Sequence, residues 1–150
     1  MSMLMGELLI ANGSPESGID QLEALAKVDS DIGYRSAWLL SLVYIDRAKY
    51  DLAKKVIEEQ PRLANNVVGK ETLARIALLE GNTELANRLY SEIEGQSWEA
   101  KSYLARQAFN DKNYKRAQDL TEALLREFPA SQLLRQNLKR ILQEEGKTEQ

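Results

Sequence analysis

The chain of 150 residues contains no cysteine and no histidine. Without cysteine there are no disulfides, no thiol nucleophile and no zinc finger. Without histidine there is no imidazole base and almost no scope for a transition-metal centre. Only carboxylate, hydroxyl or lysine chemistry is left, or none. Proline is scarce at three residues. No apolar run approaches the length that crosses a bilayer. The stretch Met1 to Glu7 has no early Lys or Arg, and Glu7 interrupts the apolar run a signal peptide would need. The expectation is a cytoplasmic protein that does not insert in membranes, with Asn12-Gly13-Ser14 read as a turn rather than a glycosylation site. A large excess of either sign of charge is missing too. The 20 basic and 23 acidic side chains give −3 and are spread over both halves, so no basic block exists to neutralise a phosphate backbone, and nucleic acid is not the expected partner.

What is present is apolar content of 43%, arranged with helical spacing. Leu52, Ala53, Val56 and Ile57 share a face, as do Leu85, Ala86, Leu89, Tyr90 and Ile93, and Ala117, Leu120, Leu124 and Leu125. Turn signals recur between them: Asn12-Gly13-Ser14-Pro15, Asp29 to Gly33, Ala48-Lys49-Tyr50, Gln60-Pro61, Gly81-Asn82-Thr83, Gly95-Gln96-Ser97, Asp111-Lys112-Asn113 and Phe128 to Ser131. No segment alternates as a strand does. The chain therefore reads as about nine helices joined by short turns.

Chemical motifs are weak. Gly69-Lys70-Glu71-Thr72 resembles the end of a phosphate-binding loop, but Ala64 and Glu71 stand where a glycine and a hydroxyl are needed. Asp111-Lys112-Asn113 lacks the following oxygen ligand and glycine of a calcium loop. Acidic pairs such as Glu58-Glu59 point apart on a helix and suit no acid–base dyad. The expectation is that the chain is not an enzyme, takes no cofactor or metal, and has no small-molecule substrate.

Self-comparison reveals a repeat. In the second helix of each pair a small residue precedes a bulkier one by four positions: Gly18 with Leu22, Ala53 with Ile57, Ala86 with Tyr90, Ala117 with Thr121. The matching first helices carry Met5-Gly6 with Leu9, Leu40-Ser41 with Tyr44, Leu73-Ala74 with Ala77, and Leu104-Ala105 with Ala108. Small residues let two helices cross closely. On these residues, with Tyr50-Asp51-Leu52-Ala53, Asn113 to Ala117 and Phe128-Pro129, the chain resembles a tandem tetratricopeptide repeat (TPR) array. The resemblance implies an all-α solenoid of antiparallel helix pairs, a right-handed superhelix, with repeats at about 1–32, 34–65, 67–97 and 98–130 and a polar capping helix at about 132–145. The sequence departs from the family where Ser2, Ala37, Lys70 and Lys101 replace a bulky aromatic, and at Thr121. Pro61 arrives early, which predicts either a short second helix in repeat two or an unusual link to repeat three.

The resemblance further implies a non-catalytic interaction module, part of a larger regulatory or assembly protein, which binds a peptide or helix on a concave wall lined by first helices. The partner-binding candidates are Trp38, Leu42, Ile45, Arg75, Leu78, Tyr103, Arg106 and Phe109, because aromatic and Arg side chains dominate interface energetics. The lysine–asparagine–arginine clamp by which some family members hold chaperone tails is absent, with Met3, Glu7 and Leu39 among the residues at its positions. An alternative reading is homodimerisation through the apolar first helix, with Leu4 and Leu8 as its contacts.

Overall fold

The structure, a computed structural model, describes residues 15–148. They form eight helices and no strand: α1 (Pro15–Ala26), α2 (Asp31–Asp46), α3 (Tyr50–Glu59), α4 (Val67–Leu79), α5 (Thr83–Glu92), α6 (Trp98–Asn110), α7 (Tyr114–Glu127) and α8 (Gln132–Thr148). The chain divides into two compact units, one up to Ala86 and one from Asn87 on, so the division falls inside α5.

Helix starts are set by short polar side chains. Ser30, Asn66 and Ser97 accept hydrogen bonds from the backbone N–H three residues on, at 3.0, 2.8 and 3.0 Å, opening α2, α4 and α6. Ser131 does the same for α8 at 3.2 Å. Each bond satisfies a donor that has no partner within the helix.

Helix ends are more telling. After α2, α4 and α6 the chain turns through a left-handed residue: Ala48 (φ 57°), Gly81 (φ 78°) and Lys112 (φ 61°). In each turn the N–H just beyond it reaches back over five residues: Lys49 to Tyr44 O, Asn82 to Ala77 O and Asn113 to Ala108 O, all at 2.8 Å. This is the Schellman ending, built three times at spacings of 33 and 31 residues. It fixes a common register for the three first helices. Only Gly81 adopts the left-handed region without penalty. Ala48→Gly and Lys112→Gly are therefore expected to raise stability by about 1 kcal/mol each, read as a thermal midpoint about 3 °C higher; an unchanged midpoint in both variants contradicts the turn geometry.

In the first unit α1 packs on α2 and α2 on α3, with lighter contact from α3 to α4. The core holds Ile19, Leu22, Leu40, Tyr44, Ile57 and Ile76, with Ala37 and Ala53 at the close crossings. Ser41, Ala74 and Ala105, in the same register, are also buried. α3 ends just before Pro61 and has ten residues, the same length as α5. The link to α4 is not loose, however: Leu63 is buried, and Gln60, fully buried, donates from Nε2 to Ala26 O (2.5 Å) and Val28 O (3.1 Å) while its Oε1 accepts from Arg62 N (3.0 Å).

In the second unit α6 packs on α7 and α7 on α8. Ala108, Ala117 and Ile141 form a cluster closed by Phe109 and Tyr114. Lys101 is buried, its Nζ 2.7 Å from Glu127 Oε1. Thr121, at an expected large apolar position, is buried and returns its hydroxyl to Ala117 O at 2.7 Å. The eighth helix begins at the expected residue and is less polar than a cap need be, burying Ile141 and leaving Leu133 and Leu142 exposed. Among the described residues no helix is long and apolar enough to cross a membrane.

Candidate functional site

The common register sorts the candidate residues. Counting back from Ala48, Gly81 and Lys112, three positions share one helix face at i, i+4 and i+7. They are Trp38, Leu42 and Ile45 on α2; Glu71, Arg75 and Leu78 on α4; and Ser102, Arg106 and Phe109 on α6. Seven of the eight partner-binding candidates therefore fall at the same three register positions, a separate stripe on each helix.

In the first unit the stripe is solvent-facing. Trp38 and Leu78 are each 38% exposed, Leu79 beside them is more open, and Leu42 and Ile45 are half-buried. Arg75 is exposed and lies 3.7 Å from Glu71 one turn back on the same helix, a pair that contributes a few tenths of a kcal/mol. The α2 part of the stripe carries no charge and the α4 part carries both signs.

Tyr103 is the exception and a correction. It is 5% exposed, its ring 4.6 Å from that of Tyr90, and its hydroxyl donates to Asn87 Oδ1 at 2.7 Å. Burial pushes its phenol pKa up. The register explains this, because Tyr103 corresponds to Thr72, itself buried, one step around the helix from the open stripe. It belongs to the core of the second unit and presents no surface for a partner.

Arg106 and Phe109 line a cavity of about 220 Å³ among α6, α7 and α8. Its apolar lining comes from Ala105, Phe109, Leu124, Leu134 and Ile141, with Arg106 and Arg140 among its polar residues. The Arg140 guanidinium lies 4.9 Å from the centre of the Phe109 ring, a cation–π stack, and Tyr114 meets the same ring edge-on at 5.6 Å. Four of the lining residues, Leu134, Asn137, Arg140 and Ile141, come from α8, so this helix does more than cap the array expected from the sequence. The signal was available: Arg140 follows Arg106 by 34 residues, one repeat.

A second cavity, about 250 Å³, lies in the first unit against Leu40, Tyr44, Leu52 and Val56. Its charges are satisfied internally. Lys27 and Lys55 lie 3.5 and 4.0 Å from Glu59, and the Tyr44 hydroxyl donates to Glu23. Burial first, and then the Glu23 carboxylate, push the Tyr44 pKa up, so the phenol stays protonated and serves as a structural donor. Among the described residues no group of three or more acidic side chains stands close enough to hold a metal ion. The self-association candidates Leu4 and Leu8 lie outside the described residues.

Searches of protein-family models, of curated proteins and of solved structures each found nothing that matches this chain.

Proposed function

We propose that the chain is a non-catalytic protein-interaction module of TPR-like form, a right-handed solenoid of helix pairs whose first-helix stripes line one concave wall that takes a peptide or helix. The repeated Schellman turns support the array, since a common ending at spacings of 33 and 31 residues is what a TPR-like period would produce. The observation that carries the binding reading is the stripe itself. At the registered positions Trp38 and Leu78 stay open to solvent on faces that the repeated turns place in a common register. Large apolar residues flanked by arginine suit an amphipathic or apolar partner segment. The net charge of −3 favours protein over nucleic acid as that partner.

The test is fluorescence anisotropy with a panel of labelled amphipathic helical peptides. Trp38→Ala is expected to weaken the best binder about tenfold, and Arg75→Glu to weaken an acidic-flanked one by about threefold. Unchanged affinity in both variants removes the stripe of the first unit from the account.

A further inference from the structure

The cavity among α6, α7 and α8 combines apolar lining residues with positive charge that no lining carboxylate offsets. Its ten lining residues include two arginines and no carboxylate. Neither Arg106 nor Arg140 makes an ion pair with any described residue, whereas Arg116 pairs with Glu94, Arg47 with Glu16, and Arg62 with Asp29 and Asp31. The excess is local. From Gln132 to Gln143, α8 carries Arg135, Lys139 and Arg140 and no acidic residue, in a chain whose net charge is negative. The rest of the lining is apolar apart from the uncharged polar Ser102, Thr121 and Asn137.

From this we infer that the cavity is an anchor pocket for a protein segment in which a Leu or Phe side chain stands beside an Asp or Glu. The inference rests on the reading of the first-helix faces as binding surfaces and names what the face of α6 recognises. The apolar side chain enters against Leu124, Leu134 and Ile141, and the neighbouring carboxylate meets the arginines. The Arg140 guanidinium sits 4.9 Å from the centre of the Phe109 ring, a cation–π contact that steadies it, and arginine is the side chain that pairs bidentately with a carboxylate. Phe109 is in turn fixed by Tyr114, so little side-chain entropy is lost on binding. The volume is below the roughly 300–1,000 Å³ of pockets for drug-sized ligands, and it suits one large side chain.

The experiment uses the full chain and fluorescein-labelled peptides: Gly-Ser-Leu-Glu-Phe-Glu-Ser-Gly, a version with Gln for both Glu, and a version with Ser for Leu and Phe. The acidic apolar peptide is expected to bind, and each altered version to bind about tenfold more weakly. Arg106→Ala and Arg140→Ala, both at exposed side chains, are each expected to cost about tenfold, with the helical circular dichroism of the chain unchanged. Equal affinity for wild type and both arginine variants overturns the pocket while leaving the stripe of the first unit standing. Loss in the arginine variants, with none in Trp38→Ala or Arg75→Glu, upholds the pocket and removes that stripe instead. Failure of the acidic apolar peptide to bind wild type overturns the assignment. So does binding of 3-phenylpropionate alone, which would make the occupant a small carboxylate.

Discussion

Gly69→Ala is expected to destabilise the first unit by about 3 kcal/mol, although it adds one methyl group to a residue inside a helix, where alanine is ordinarily the better choice. A Cβ at Gly69 would run into the carbonyl oxygen of Leu63. That carbonyl cannot easily retreat. Leu63 is buried, its N–H donates to Gln60 O at 3.1 Å and its carbonyl accepts from Asn66 N at 3.3 Å. Relief requires α4 to shift at its start. The shift would pull Gly69 N from the Asn66 side chain, a cap contributing about 1 kcal/mol, on top of the 1–3 kcal/mol or so typical of overpacking. Gly33→Ala meets Val28 O in the same way at the start of α2 and is expected to behave alike. Gly95→Ala is the control, because its Cβ would meet nothing within 4 Å. Urea denaturation reads the result, and a Gly69→Ala midpoint equal to that of Gly95→Ala would rule out the close approach.

These positions also show what a sequence can and cannot disclose here. Helix pairs were legible because their physics is local. Polar caps and glycines mark the ends, and the small residues Ser41, Ala53, Ala74, Ala105 and Ala117, all buried, mark where helices cross. The stripe was legible for the same reason, since i, i+4 and i+7 spacing puts Trp38, Leu42 and Ile45 on one face. Tyr103 was misplaced because adjacent residues differ by only 100° around a helix, and the marker that fixes the register is disguised. Two of the three left-handed turn residues are Ala48 and Lys112 rather than glycine, so the turn announces itself only at Gly81. Lys101 and Arg140 were missed for a different reason. Their surroundings are long-range: Glu127 follows Lys101 by 26 positions, and the Phe109 ring under Arg140 comes from another helix. Lys101, a charged side chain in an amphipathic pattern, reads as exposed until its partner is known, whereas Arg140 is exposed and only its ring contact was hidden.

Gln60 is the extreme case of such a long-range role, and Gln60→Glu is expected to cost about 3 kcal/mol at neutral pH. The wild-type amide joins the link after α3 to the end of α1, 34 residues earlier, by donating to Ala26 O and Val28 O. A glutamate keeps the shape and the acceptor for Arg62 N but has no donor when ionised. Two carbonyl oxygens would then face a buried negative charge, and both would lose their partner. The charged form is thus disfavoured in the folded chain, and the folded pKa of the introduced carboxyl lies above its unfolded value of about 4.3. For a raised pKa, stability is fully present below the unfolded value and is lost as pH rises through the folded one. Below about pH 4.3 the protonated carboxyl regains one O–H donor. One of the two carbonyls is satisfied again, and the deficit relative to wild type shrinks without vanishing. Gln60→Leu has no proton to gain, and its deficit should be the same at both ends of the range. Comparing urea midpoints of wild type and the two variants at pH 7 and pH 4 separates the cases. A Gln60→Glu deficit that does not narrow on acidification would mean that the amide donors of Gln60 do not hold α1 to the link.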